Sequence, residues 1–301
     1  MGKIALIGAA GQIGTPLSLL CKAVNTKAKV SGYLPDNGGL KKALAGADIV
    51  VVTAGIARKP GMTRDDLFKT NASIIRDIFS EVASTCPNAI SCVVTNPVNS
   101  TVPVAAETLK KAGVFEPRRL FGVTTLDVVR ASTFAAHALG GNIEPKQLRV
   151  PVIGGHSGAT ILPLYSQAQP VVQLSDEQLA PVINRVQFGG DEIVKSKQGA
   201  GSATTCMAYA GFRFVKALMS AQSGQSVTEE AYVYLPGIPG GRELAAELGV
   251  DYFAVKVQIG QKGATKVLPI GDLSGNEKKL LEAALCELKT NIATGVSFMS
   301  V

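Results

Sequence analysis

The sequence predicts an α/β fold, with a doubly wound parallel sheet in its first part and an α+β domain after it. A short apolar strand at residues 3–7 runs into a glycine-rich turn and then into a helical stretch that begins at Thr15. Apolar strands at 47–55 and 89–95 are separated by an amphipathic stretch from 71 to 86. Because strands that alternate with helices build a parallel sheet, we expect ligands at the carboxyl ends of these strands.

The composition is that of a globular protein with two domains, which we place at 1–123 and 124–301. Of the 301 residues, 46% are hydrophobic and 18% charged, and no apolar run reaches the ~18–20 residues that would span a membrane. The formal charge of +7 is one feature of nucleic-acid-binding proteins, but there is no long basic run and only 5% of the residues are aromatic. A small anionic substrate explains the cations more economically, because a cationic cleft raises the rate of encounter.

The cysteines indicate neither disulfides nor a metal site. They are odd in number and none has the Cys-x-x-Cys spacing: Cys21, Cys86, Cys92, Cys206 and Cys286. We expect small core thiols in a reducing compartment, and no metal. The strand pattern at the start of the chain also predicts no signal peptide, although a leader could have been removed.

The glycine turn predicts a dinucleotide site. Its residues are Gly8-Ala9-Ala10-Gly11-Gln12-Ile13-Gly14, a Gly-x-x-Gly-x-x-Gly spacing directly after the first strand. Glycines there allow a tight turn, close approach of a pyrophosphate and tight packing of helix on strand, while the helix N-terminus offers free N–H groups. The position after a strand favours this interpretation over a purely structural turn and predicts a Rossmann-type sheet.

One expected element has no room in the sequence. A dinucleotide fold needs a second strand soon after the first helix, ending in an acidic residue for the ribose hydroxyls. Here Ala23 is followed directly by Val24, and the stretch 24–30 is too short for a complete unit. Asp36 stands at a suitable count from the glycines but lies in 34–39, which resembles a loop, so we do not assign it to the ribose.

His156 is one of only two histidines and lies in the run Gly154-Gly155-His156-Ser157-Gly158, after an apolar strand. The glycines leave room for a ligand, and an imidazole exchanges protons near neutral pH. A solvated or capping turn histidine is the alternative. Asp127 and Arg130 stand three residues apart and so share a helix face, and a guanidinium matches a carboxylate in two-pronged geometry. A helix N-cap for Asp127 and a surface ion pair for Arg130 are the alternatives.

These motifs together resemble the malate dehydrogenases, especially their mitochondrial, glyoxysomal and enterobacterial branch. The resemblance rests on five motifs in order: residues 8–14, Arg58–Arg64, Thr95–Asn99, Thr125–Arg130 and Gly154–Gly158. It extends through 199–208 and therefore covers nearly the whole chain. Two departures stand out: Gln12 replaces a common glycine, and about twenty residues that hold the second strand and the ribose aspartate are missing after Ala23. Either a segment of the protein is absent from this sequence or the chain is truly shortened; we favour the first, because excising a central strand would break the sheet.

The resemblance implies a role for each polar residue of the substrate site. His156 would be the proton acceptor and donor, and Asp127 would hold its far nitrogen. Arg130 would bind the carboxylate next to the reacting carbon. Arg58 would bind the distal carboxylate and Arg64 would polarise the substrate oxygen, on a segment that closes as a lid. Without the resemblance, basic residues in such a loop are more often simply solvated.

The resemblance also implies NAD as cofactor. Its contacts would come from the glycine turn (Gly8, Gly11, Gln12, Ile13, Gly14) and from Asn71, Val94, Thr95, Asn96 and Met207, with Asn96 touching the substrate as well. Asn71 could instead be a helix N-cap and Met207 could instead be core packing. His137 is interpreted as structural.

The implied substrates are malate and oxaloacetate, and the implied assembly is a homodimer, with no nucleic-acid or membrane partner. The implied setting is the tricarboxylic acid cycle in the mitochondrial matrix, with a peroxisome-like organelle or a bacterial cytoplasm as alternatives. Two other functions stay open: a lactate or other 2-hydroxy-acid dehydrogenase, and an inert paralogue that acts as a binding module.

Overall fold

One mixed sheet runs through both halves of the chain in the computed structural model, which describes residues 2–23, 28–56, 64–199 and 201–300. The first half contributes four parallel strands, namely β1 (Ile4–Ile7), β2 (Ile49–Val52), β3 (Ile90–Val93) and β4 (Leu120–Gly122). All residues of β2 and β3 are buried, as expected for parallel strands that are covered on both faces. The predicted α/β class with a Rossmann-type parallel sheet is confirmed.

The helices of the first half return the chain between these strands. They are α1 (Gly14–Ala23), α2 (Gly39–Leu44), α3 (Arg64–Thr85) and α4 (Val98–Lys111). The helix α3 begins at Arg64, earlier than the predicted start at residue 71, so Asn71 is an interior helix residue and not an N-cap.

The second half extends the same sheet with antiparallel strands. Its elements are α5 (Thr125–Ala138), β5 (Val152–Gly154), β6 (Ile161–Pro163), α6 (Asp176–Ser196), α7 (Thr205–Gln222), β7 (Val227–Tyr234), α8 (Gly241–Leu248), β8 (Tyr252–Gly260), β9 (Gly263–Val267) and α9 (Gly275–Phe298). Within the described residues the strand order is β1-β2-β3-β4-β7-β8-β5-β6, and β9 pairs with β8. Because β7 joins β4 through the pair of Gly122 and Tyr232, the predicted α+β part is continuous with the parallel part.

Capping residues fix the ends of the two longest helices of the second half. Ser175 accepts a hydrogen bond from Gln178 N at the start of α6, and Ser274 accepts one from Glu277 N at the start of α9. Serine at these positions satisfies an N–H group that the helix would otherwise leave without a partner. Glu277 also accepts from Ser166 N and Oγ at 3.1 and 2.6 Å, which ties α9 to the chain after β6.

The expected second strand does not appear in the described part of the chain. β1 pairs with β2 on one side and has no described strand on the other, and residues 28–34 form no strand and are exposed. Val30 and Leu34 are 66% and 77% exposed, although both are apolar. The described residues therefore supply no strand beyond β1. The sheet keeps a buried centre because β4, β7 and β8 extend it on the opposite side.

A carboxyl group of the second half is buried without a hydrogen-bond partner among the described residues. Glu230 of β7 is 1% exposed and neither of its oxygens is hydrogen-bonded. Burial raises the pKa of this carboxyl above its ordinary value, and the guanidinium of Arg149, 3.8 Å away, offsets part of that rise. The unfolded chain therefore loses this proton at a lower pH than the folded chain, so the ionised form opposes folding.

Replacing Glu230 with glutamine tests this consequence. Stability of the parent should fall as pH rises from the ordinary glutamate range through the raised pKa of Glu230, because the buried charge must then form. Glu230→Gln should flatten that part of the profile and raise the Tm at pH 8 by about 1–2 °C, measured by thermal unfolding. Glu229→Gln is the matched control: Glu229 pairs with Arg213 at 2.9 Å, so this change should give no gain. An equal gain in both variants would contradict the argument.

Candidate active site

The carboxyl ends of β1, β2 and β3 meet through a series of direct contacts. Gly8 has a φ of +90°, and a Cβ atom there would lie 2.6 Å from the backbone nitrogen of Ala54. The Thr95 hydroxyl donates to the carbonyl oxygen of Ala54 at 2.8 Å, which holds the end of β3 to the end of β2. The side-chain amide of Asn71 donates to the carbonyl oxygen of Asn96 at 2.7 Å, and its oxygen accepts from Ile56 N at 2.8 Å.

The glycine turn is shaped to receive a ligand that lies against the backbone. A Cβ on Gly14 would lie 2.0 Å from the carbonyl oxygen of Gly8, so only glycine permits this helix start. Gly11 N bonds Gly8 O at 3.0 Å, and residues 9–12 of the turn are exposed. The side chain of Gln12 extends toward Gly201, where a Cβ would lie 2.5 Å from its oxygen. The turn and the N-terminus of α1 therefore fit the pyrophosphate of a dinucleotide.

The other predicted cofactor residues differ in what they can reach. Asn96 is exposed at the end of β3, so its amide is available to a ligand. Four of the predicted residues are buried, with exposures of 3%, 5%, 1% and 4% for Val94, Thr95, Asn71 and Met207. Ile13 is half-buried between the turn and the main core. Their contacts with a cofactor remain predictions.

The two residues predicted to handle a proton are in contact. His156 Nδ1 lies 2.5 Å from Asp127 Oδ2, and the two side chains are 8% and 0% exposed. Asp127 belongs to the first turn of α5, whose N-cap is Thr124, so the N-cap alternative for Asp127 is wrong. His156 Nε2 has no hydrogen-bond partner in the described part of the chain, which leaves this nitrogen for a ligand. The pairing assigns the ring proton to Nδ1, because a carboxylate only accepts.

A cation lies beside this pair. Arg130 Nη1 is 4.0 Å from Asp127 Oδ1, and the arginine side chain is 13% exposed, so this ion pair is largely shielded from water. Arg130 also lies against Gly189 of α6, where a Cβ would be 3.6 Å from its Nε. Asp127 Oδ1 and the hydroxyls of Thr124 and Thr125 are buried without hydrogen-bond partners among the described residues. The site thus joins a held imidazole, a buried carboxylate and a guanidinium that can bind an anion.

Asn99 connects this pair to the strand ends, and sequence reasoning did not assign it a role. It is fully buried in the first turn of α4, and its Oδ1 accepts from His156 N at 2.8 Å. Its Nδ2 donates to Ser157 Oγ at 2.9 Å, Thr160 Oγ1 at 3.1 Å and Asn291 Oδ1 at 2.9 Å. A Cβ on Gly155 would lie 2.7 Å from this amide, which explains one glycine of the run. The sequence feature that could have identified Asn99 is its position two residues after Pro97, just beyond the end of β3.

Two predicted residues fall outside this description. Arg58 lies in the segment 57–63, which is outside the described residues, and the side chain of Arg64 is likewise outside them although α3 begins there. Their roles stay predictions. His137 is exposed in the last turn of α5.

The described residues form no cluster of three or more histidine, cysteine, aspartate or glutamate side chains that could hold a metal. All five cysteines have free thiols. Burial raises the pKa of the Cys86 thiol to about 11 and raises that of Cys92 as well, so these two behave as small core residues. No described helix is both long and apolar enough to cross a bilayer.

The Asn99 network yields a prediction. Asn99→Ala should lower the free energy of unfolding by about 2–3 kcal/mol, measured with denaturant, because buried donors and acceptors lose their partners. If Asn99 positions His156, the variant should also shift the imidazole NMR signals of His156 and leave those of His137 unchanged. Asn142→Ala, an exposed loop change, is the control and should cost under about 0.5 kcal/mol. Unmoved His156 signals would limit Asn99 to a packing role.

Comparisons with known proteins agree with this arrangement. Residues 22–122 match the NAD-binding domain of lactate/malate dehydrogenases, and residues 124–299 match the alpha/beta C-terminal domain of the same family. The mitochondrial malate dehydrogenase of Schizosaccharomyces pombe is 47% identical over 323 positions, covering 99% of this chain and 92% of that protein. The human mitochondrial malate dehydrogenase is 45% identical, with 99% and 91% covered.

Solved structures show the same fold, and one sequence relative has residues that this chain lacks. The malate dehydrogenase of Cryptosporidium parvum is 27% identical with a TM-score of 0.81, covering 99% of this chain and all of that one. That of Picrophilus torridus has a TM-score of 0.85 at 24% identity, with 99% and 98% covered. The alignment of 323 positions exceeds the 301 residues of this chain, so the yeast relative has at least 22 residues without a counterpart here. The chain belongs to the lactate/malate dehydrogenase family.

Proposed function

We propose that this chain interconverts (S)-malate and oxaloacetate with NAD as the hydride carrier. The observation that supports this most is the pairing of His156 with Asp127, next to Arg130 and joined through Asn99 to the strand ends beside the glycine turn. The match of the first half to an NAD-binding domain and the 44–47% identity to proteins named malate dehydrogenase support the same conclusion.

His156 accepts the proton that the reaction releases. Oxidation of malate removes a hydroxyl proton and a hydride from one carbon, and the nicotinamide, when bound, accepts the hydride. Because Asp127 holds Nδ1–H at 2.5 Å, Nε2 carries the free lone pair and takes the hydroxyl proton. The imidazolium that forms is stabilised by the buried carboxylate of Asp127. In the reverse direction Nε2–H returns the proton to the carbonyl oxygen of oxaloacetate.

The substrate is held by cations. Arg130 binds the carboxylate next to the reacting carbon, because its guanidinium lies beside the His156–Asp127 pair and is mostly shielded from water. Arg58 binds the distal carboxylate, and Arg64 polarises the substrate oxygen. Asn96, exposed at the end of β3, contacts the substrate and the nicotinamide ribose. A dicarboxylate needs a cation at each end, whereas a monocarboxylate such as lactate needs only Arg130.

The turn from Gly8 to Gly14, with Gln12 and Ile13, holds the pyrophosphate of NAD against the N-terminus of α1. Asn71, Val94, Thr95 and Met207 shape the surface under the nicotinamide. These residues account for contacts with the pyrophosphate and the nicotinamide half of NAD. The described residues provide no strand-end carboxylate for the adenosine ribose.

We also propose that the chain works as a homodimer in the mitochondrial matrix. The Schizosaccharomyces pombe and human relatives cited above are named mitochondrial malate dehydrogenases. Large apolar side chains remain exposed on α1 and on α7, which pack against each other, namely Leu19, Tyr209 and Met219 at 61%, 52% and 46% exposure. Exposed apolar side chains of this size are ones that a subunit interface would cover.

The assignment of Arg58 determines the substrate and can be tested directly. We expect the parent to prefer oxaloacetate to pyruvate in kcat/KM, measured by NADH absorbance. Arg58→Gln should reduce that preference by at least a hundredfold, because the distal carboxylate loses its partner in a closed site. Arg242→Gln, an exposed change on α8, is the control and should leave the preference intact. A parent that prefers pyruvate would favour the lactate dehydrogenase alternative.

The role of Asp127 gives a second test. Asp127→Asn should lower kcat by about 10²–10⁴-fold, because an amide next to Nδ1 no longer fixes the productive tautomer or stabilises the imidazolium. Binding of NADH, followed by its fluorescence, should change little. Asp191→Asn, an exposed change on α6, should leave both quantities unchanged. If NADH binding failed together with turnover, Asp127 would be a structural residue only.

A further inference from the structure

We infer that this chain does not select against the 2′-phosphate of a nicotinamide cofactor, and that it binds NADPH about as tightly as NADH. The inference rests on the proposed function, since it concerns the cofactor cleft of that reaction. It names a second cofactor class for the chain, the 2′-phosphorylated dinucleotides.

The first argument comes from the positions of the acidic residues. In dinucleotide folds, selectivity for NAD comes from a carboxylate at the end of the second strand, about 20 residues beyond the glycines. That carboxylate accepts from the ribose 2′-hydroxyl, and its charge repels a 2′-phosphate. Residues 1–35 of this chain contain no aspartate or glutamate, and they contain four lysines: Lys3, Lys22, Lys27 and Lys29. Asp36 is therefore the first carboxylate of the chain and the one at a suitable count from the glycines.

The second argument comes from the sheet. β1 lies at the edge of the described sheet, and the side of β1 away from β2 is where the next strand of a dinucleotide fold would stand. Residues 28–34, which follow α1 after a short segment, form no strand and are exposed. No described strand end therefore brings a side chain to the ribose position.

The first acidic residue of the chain is Asp36, and it forms part of the turn that leads into α2. It lies in an exposed turn that leads into α2, where its carbonyl oxygen accepts from Gly39 N at 3.1 Å. The turn is held by Asn37 and Gly38 at φ values of 55° and 70°. Asp36 is thus part of the entry to α2 and not of a strand end.

The charges in this part of the chain favour similar affinities for NADH and NADPH. A 2′-phosphate is an anion, and it meets no facing carboxylate in this part of the chain. Lys22 and Lys29 are exposed, so solvent and salt screen their attraction, and their contribution to affinity is small. Most of the binding energy then comes from the pyrophosphate and nicotinamide, which NADH and NADPH share.

Equilibrium binding tests the inference without relying on turnover. Each reduced cofactor is titrated into the full chain and followed by nicotinamide fluorescence. The expected Kd values of NADH and NADPH lie within about threefold of each other, and any preference for NADPH also supports the inference. A preference for NADH above about tenfold overturns it, with the proposed function left intact. If neither cofactor binds, both the inference and the proposed function fail.

Asp36→Asn makes the test specific to the one candidate carboxylate. We expect this variant to keep the parental ratio of Kd values within about twofold, as should the exposed control Asp191→Asn. A shift of about tenfold toward NADPH in Asp36→Asn alone would identify Asp36 as a selecting carboxylate and would overturn the inference. Because Asp36 is exposed in a turn, the substitution leaves the core untouched.

Discussion

The arrangement of the site depends on one buried contact, the 2.5 Å hydrogen bond between Asp127 and His156. A carboxylate with no exposed surface is costly unless it is paired, and here its pairing partner comes from a different element of the fold. Asp127 is in the first turn of α5, while His156 follows β5. The pair therefore stabilises the fold only when α5 and the end of β5 are correctly placed, and the same placement leaves Nε2 open.

The continuous sheet provides that placement. Gly122, the last residue of β4, pairs with Tyr232 of β7, so parallel and antiparallel strands share one core. A Cβ on Gly122 would lie 2.7 Å from Val98 Cγ1 and 2.9 Å from Val102 Cγ2, so this glycine is what lets α4 pack closely on the strand. That close packing sets the first turn of α4, and with it Asn99, beside the loop of His156. Tyr232 donates from its hydroxyl to the carbonyl oxygen of Asn99 at 3.2 Å, which closes the connection.

Much of the fold and of the site could be predicted, because glycines and charged residues form recognisable local patterns in a sequence. The glycine turn, the strand ends and the shared helix face of Asp127 and Arg130 follow from the spacing of these residues. Asn99 was not found because a buried asparagine is identified by its partners at Ser157, Thr160 and Asn291, which are distant in sequence. Asn71 was considered as an N-cap because the start of α3 at Arg64 has no pattern that marks it. The burial of Glu230 was also invisible, since two adjacent acids in a strand place one on each face and the sequence does not say which face is covered.

The missing strand separates two functions that a dinucleotide fold normally combines. The His156–Asp127 pair and Arg130 lie on the β3, β4 and β5 side of β1, where Asn99 joins them by hydrogen bonds to α4. What the chain lacks lies beyond β1, where a strand end would contact the adenosine ribose. Because ΔG terms of sites without shared partners add independently, loss of the ribose contact can weaken and broaden cofactor selection without displacing the imidazole–carboxylate pair. The described residues place no strand on the other side of β1, and residues 28–34 lie exposed.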